Sequence, residues 1–180
     1  LRHSDRPPTP VGVAGYELGL TPEGEARARL LGERLGEGPR WALTSPLLRC
    51  RQTAALAGFT AEPSALLGAP GPFVIDRVQG RVAFDTHGTD TVVRAQLRGE
   101  TWECMRGLAE GARLVLDELC MQIEAHEGTG LAVSHDAIVM PIVAWVTGET
   151  FEGDWLAPLD GVVLTPGFLF WKGRRYEVKR

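Results

Sequence analysis

The chain has 180 residues, of which 44% are hydrophobic and 23% charged, and a formal net charge of −4. That is material for one compact domain, read here as residues 1–180, with a core large enough to fold without disulfides or a structural metal. The balance of charge gives no global reason to expect nucleic acid or a membrane as partner, and no apolar run reaches the ~18 residues of a membrane-spanning helix.

Leu1-Arg2-His3 opens the sequence with no methionine and no room for a strand ahead of it, so residues are expected before Leu1, with a targeting segment among them left open. A Pro/Gly-rich stretch to about Gly19 reads as loop. Thr21-Pro22-Glu23 then supplies an N-cap, a proline for the first turn and an acid beside it. Ala26, Leu30, Leu31 and Leu35 follow at helical spacing, predicting a helix over 22–36. Trp41-Ala42-Leu43 reads as a short strand, and Thr44-Ser45-Pro46 as the cap and first turn of a second helix ending near Gly58.

From Ala61 to Glu100 prolines and glycines interrupt every period. This segment, about 60–101, is taken as an excursion over the domain, with Phe73-Val74-Ile75 as a candidate strand. A long helix is expected from Trp102 to about His126, with Leu108, Ala112, Leu116, Leu119 and Ile123 on one face. Leu131-Ala132-Val133 is a buried-strand candidate, followed by a helix from about Ala137 to Trp145. Gly161 to Val178 reads as two or three short strands around a Lys172-Gly173 turn, which could add an antiparallel edge to the main sheet. The alternation of strand and helix predicts an α/β layered domain with a largely parallel sheet. Cys50, Cys104 and Cys120 are odd in number and lack metal-ligand spacing, which argues against a disulfide framework or zinc site and for a reducing, cytoplasmic setting.

Three segments place polar residues just after a candidate strand or at the chain start, where open α/β sheets bind ligands: Arg2-His3-Ser4-Asp5-Arg6-Pro7-Pro8, Ser45 to Ala54, and Ser134-His135-Asp136. Hydrolysis of a phosphate monoester needs these residue types. Guanidinium forks neutralise the dianion bidentately. An imidazole with an unperturbed pKa of ~6.5 offers a free lone pair to phosphorus at neutral pH. A carboxylic acid protonates the leaving alkoxide. No metal or cofactor is required by this scheme.

These segments resemble the histidine phosphatase superfamily, which includes phosphoglycerate mutases and histidine acid phosphatases. Arg2-His3 is similar to its Arg-His-Gly signature, Leu43 to Ala54 to its Ser-Pro-Leu turn and Arg-x-Arg-Gln-Thr-Ala run, and Ser134-His135 to its strand ending in Ser-His. The likeness covers roughly residues 2–57 and 129–148. It implies a three-layer sandwich with a mostly parallel central sheet flanked by helices, as in the phosphoglycerate mutase-like fold. It further implies that His3 takes the phosphoryl group while Arg2, Arg6, Arg49 and His135 line the phosphate pocket. Arg2-His3-Ser4-Asp5-Arg6-Pro7-Pro8 and His135-Asp136 resemble the acid-phosphatase pattern in particular, which makes Asp136 the candidate proton donor, with Asp76 and Asp85 as fallbacks. Ser4 stands where that family has glycine, and the mutase-type glutamate of the middle excursion has no counterpart.

Blander roles are the default elsewhere: a surface ion pair for Arg51, a solvated turn for His87, a helix-end dipole contact for His126, a buried apolar role for Cys50, and core packing for Trp102 and Trp155. The expectation is a metal-independent phosphomonoesterase forming phosphohistidine on His3, acting on a phosphorylated small molecule or phosphoprotein. A mutase-like phosphotransferase, a protein phosphohistidine phosphatase and a non-catalytic phosphate-binding module are the alternatives. Specificity is assigned to residues 60–101.

Overall fold

Helix α1 (Pro22–Leu35) starts as its sequence predicts: the Thr21 hydroxyl accepts from the Gly24 amide, and Pro22 fills the first turn. The computed structural model describes residues 1–9, 15–68, 71–100, 102–151 and 155–178. After α1 come β1 (Pro39–Thr44), α2 (Leu48–Leu56), β2 (Glu62–Pro63), α3 (Arg77–His87), α4 (Thr89–Leu97) and α5 (Leu108–Ala125). Then follow β3 (Thr129–Val133), α6 (Asp136–Thr147), β4 (Val163–Thr165), β5 (Phe168–Trp171) and β6 (Arg174–Glu177).

The sheet that organises the fold is parallel, in the order β2-β1-β3, with Leu43 opposite Ala132 and Thr44 opposite Val133. Alternation along β1 and β3 sorts side chains to two faces. Ala42, Leu131 and Val133 pack with Cys50 and Ala54 of α2, and α1 lies on α2. Leu43 faces the other way, into the larger cluster with Ala112, Val115 and Leu116 of α5 and Ile138, Met140 and Val143 of α6. Helices thus cover both faces of a parallel sheet, the layered α/β arrangement predicted. Beyond the end of β3, Arg2 forms a parallel bridge to Ser134, and the His3 amide donates to the Ser134 carbonyl at 2.9 Å.

Five local expectations need correction. Thr44-Ser45-Pro46 does not cap α2: the N-cap is Leu47, because the Ser45 amide stays with the sheet, donating to the Val133 carbonyl at 2.9 Å. Phe73-Val74-Ile75 is not a strand but a 3-10 turn (Gly71–Phe73) followed by an isolated Val74–Met105 bridge. That pairing also shortens the next helix: Trp102 to Arg106 are held against residues 73–76, with the Arg106 amide on the Phe73 carbonyl, so α5 begins only at Leu108. The middle excursion holds two helices, α3 and α4. Val78 and Val82 of α3 face outward, 75% and 60% exposed, so its apolar pattern does not mark its buried face. The final strands do not extend the parallel sheet; they form an antiparallel sheet of their own, order β4-β5-β6, turning at Lys172-Gly173 with φ of +45° and +75°.

Candidate functional site

The three segments singled out in the sequence converge at the carboxyl end of the parallel sheet. Ser45 leaves β1, Ser134-His135 leaves β3, and Arg2-His3 runs alongside β3 through the Ser134 bridge. Arg49 enters from the first turn of α2, where it is 9% exposed; His3 and His135 are 3% and 2% exposed. The two imidazole rings lie edge to face, with centroids 5.2 Å apart.

Arg49 ties the two rings together. Its Nε donates to His3 Nε2 at 3.1 Å, one terminal nitrogen reaches His135 Nδ1 at 3.3 Å, and the other donates to the Gly15 carbonyl at 2.9 Å. A guanidinium can only donate, so these contacts fix the tautomers. His3 Nδ1 carries the proton and donates to the Ser4 carbonyl at 2.6 Å, leaving a lone pair on Nε2. His135 carries its proton on Nε2, donates it to Ser45 Oγ at 2.8 Å, and presents a lone pair at Nδ1. Burial pushes the His3 imidazole down to about 4, the Arg49 and Arg2 cations adding to it against the opposing pull of the Ser4 carbonyl and Asp136. His135 is held well below the ordinary histidine value by burial first, then by Arg49, His3, Arg6 and Arg2. Both rings are neutral at neutral pH.

Arg2 and Asp136 form a second pair beside the first. The Arg2 guanidinium sits 3.1 Å from Asp136 Oδ2 and also donates to the Leu156 carbonyl. Asp136 Oδ2 accepts as well from Trp155 Nε1 at 2.9 Å, and Oδ1 from the Ala137 amide at 2.9 Å. Arg6 turns to the Pro7 carbonyl and the Thr9 hydroxyl, at 2.8 and 2.9 Å, while its charge reaches His135. Ser4, in the place of a glycine, does not point into the site: its hydroxyl donates to the Gly24 carbonyl at 2.8 Å.

The fallback carboxylates lie elsewhere. Asp76 caps α3 and Asp85 pairs with Arg81 on its surface. Arg51 is exposed; His87 sits edge-on to Trp102, and His126 bonds the Gln122 carbonyl at the end of α5 while stacking on Trp41. Cys50 is fully buried beside His135, its Sγ 3.5 Å from Nε2, and burial pushes the thiol up to about 12, so it is no thiolate. Two contributors were given no individual role in the site from the sequence. Ser45, which holds His135, directly follows β1 and opens the Ser45 to Ala54 segment singled out there. Trp155, which holds Asp136, carries no local signal in the sequence.

Among the described residues no group of three or more His, Cys, Asp or Glu is placed to hold a metal ion, and no helix is long and apolar enough to cross a membrane. What the site offers is a neutral imidazole lone pair, a second imidazole, a carboxylate and three arginines, at the strand ends where an α/β sheet receives an anion.

Residues 10–66 match the family model of the histidine phosphatase superfamily (branch 1). No curated protein matches the chain in sequence. Among solved structures it is similar to Bacillus stearothermophilus YhfR, with a TM-score of 0.66 at 16% identity, over 99% of this chain and 95% of that one. TTHB049 from Thermus thermophilus aligns with a TM-score of 0.57 at 24% identity, over 99% and 95%. A mycobacterial glucosyl-3-phosphoglycerate phosphatase aligns with a TM-score of 0.56 at 16% identity, over 87% and 84%. The chain has the phosphoglycerate mutase-like fold and carries its histidine phosphatase superfamily match on the elements that frame the His3–Arg49–His135 cluster.

Proposed function

We propose that the protein is a metal-independent phosphomonoesterase working through a phosphohistidine at His3 Nε2. The observation that carries this reading is the Nε2 lone pair of a buried, neutral His3, fixed by the Nδ1 bond to the Ser4 carbonyl and lying against the Arg49 guanidinium. Histidine phosphatase superfamily resemblance and a neighbour of the same fold that is named a phosphatase support hydrolysis.

The steps follow from the groups present. The phosphate dianion enters among Arg49, His135, Arg2 and Arg6, taking over donors that now serve His3, Asp136 and Thr9. His3 Nε2 attacks phosphorus as the ester P–O bond breaks, and the leaving oxygen takes from Asp136 a proton that the carboxylate has picked up from solvent water once Arg2 has turned to the phosphate. Water then attacks the phosphoryl group, breaking the P–N bond, giving its proton to the Asp136 carboxylate and releasing inorganic phosphate and neutral His3. A phosphorylated small molecule or a phosphoprotein is the substrate class, chosen by residues 60–101. The protein is incubated with p-nitrophenyl phosphate, quenched in alkali and mapped by mass spectrometry. A base-stable, acid-labile phosphoryl group on His3, lost together with turnover in His3→Ala, is expected. Undiminished hydrolysis by His3→Ala overturns the reading.

A further inference from the structure

We propose that Trp155 is a positioning residue for Asp136, its indole N–H keeping the carboxyl group aimed while Arg2 leaves it for the phosphate. This deepens the reading of Asp136 as proton donor and rests on it.

Asp136 Oδ2 has two side-chain donors, Trp155 Nε1 at 2.9 Å and Arg2 at 3.1 Å. They are not equivalent. Arg2 is one of the guanidiniums the arriving dianion draws away, and the ion pair that now orients Asp136 goes with it. Trp155 stays, because its ring is anchored by contacts that no substrate competes for. It packs against the cluster of Val93, Leu97 and Ala144. The Arg94 guanidinium lies 4.7 Å over its centroid. The following residue, Leu156, is 2% exposed. An indole N–H only donates, so it can fix the carboxyl plane without removing the acidic proton. A tyrosine or histidine there could exchange that proton; tryptophan cannot. Trp155 also joins the site to α4, since Arg94 belongs to that helix and is held there by Asp90 at 2.9 Å and by the Phe151 carbonyl at 2.8 Å.

The test compares an alkyl phosphate, whose leaving group needs a proton, with p-nitrophenyl phosphate, whose leaving group does not. Wild type, Trp155→Phe, Asp136→Asn and the double variant are assayed on both. Trp155→Phe is expected to lower kcat on the alkyl ester about tenfold beyond any loss on the nitrophenyl ester, the effect of one hydrogen bond to a charged group. In the Asp136→Asn background the same substitution should leave the ratio between the two esters unchanged. Equal losses on both esters, or the same change of ratio with asparagine at 136, overturn the proposal. If Asp136→Asn alone leaves the ratio untouched, the proton-donor reading fails and takes this inference with it. Should Trp155→Phe lose its cooperative urea transition, benzothienylalanine at 155 keeps the bicyclic shape, replaces N–H by sulfur, and gives the same comparison.

Discussion

Acidifying the protein should destabilise it through His3. The folded imidazole titrates at about 4, below the ~6.5 of an unfolded histidine, so the unfolded chain binds more protons between those values. The stability this ring allows is fully present above ~6.5 and is lost as pH falls through the window to about 4. At ~1.36 kcal/mol per unit, moving from about pH 7 to about pH 4.5 costs about 2.5 kcal/mol for His3 alone. His135 contributes with the same sign, since burial and four cationic or imidazole neighbours hold it down as well. The measurement is urea unfolding of wild type and His3→Asn at both pH values. Asparagine keeps a side-chain donor for the Ser4 carbonyl but does not titrate. Carboxylates titrate in both proteins and cancel, so wild type should lose about 2–2.5 kcal/mol more than the variant. Parallel losses in the two proteins would show that His3 is not held neutral by the fold.

Arg49→Lys should cut kcat/KM on phosphomonoesters about 10²–10³-fold, because the single nitrogen of an ammonium cannot occupy the three separate positions from which the guanidinium nitrogens reach His3, His135 and Gly15; a loss of less than about threefold would deny Arg49 its place. Sulfate, a fixed dianion, should take up protons on binding, as negative charge beside His135 Nδ1 favours the imidazolium. Calorimetry in buffers of different ionisation enthalpy reads this directly, and identical heats would refute it.

The layered fold was legible because its frame obeys local rules. Thr21-Pro22 caps α1, β1 and β3 are apolar runs of strand length, and Lys172-Gly173 makes a turn that favours positive φ. The grouping of His3, Arg49 and His135 was legible for a different reason: Arg49 and His135 come soon after β1 and β3, parallel strands whose ends face the same side of the sheet, and His3 lies in the third polar segment, which runs beside Ser134. The middle was not legible because its structure depends on distant contacts. Residues 102–106 look like the first turn of α5, yet they pair with residues 73–76. Outward valines on α3 hide its inner face, where Gly80 allows Val74 so close that an added Cβ would lie 2.5 Å from it. The separate final sheet escaped for the same reason, since short strands carry no mark of which sheet they join.

The family match over residues 10–66 omits both histidines, and the packing explains how that span can still belong to the site. Gly24, in the first turn of α1, lies so close to the His3 loop that a Cβ would meet the Asp5 carbonyl at 2.1 Å. The same turn accepts the Ser4 hydroxyl at the Gly24 carbonyl. From the other side Thr53 Oγ1 accepts the Ser4 amide at 3.0 Å and donates to the Arg49 carbonyl at 2.8 Å. Thus α1 and α2 grip the residue after His3 between them, and Thr53 locks that grip to the helical turn that presents Arg49. The hydroxyl of Ser4 is spent on this frame, so replacing glycine with serine there leaves the Nε2 face of His3 unobstructed. What the matched span contributes is chiefly the distance between one imidazole and one guanidinium, and a shift of either helix would separate them before any side chain was changed.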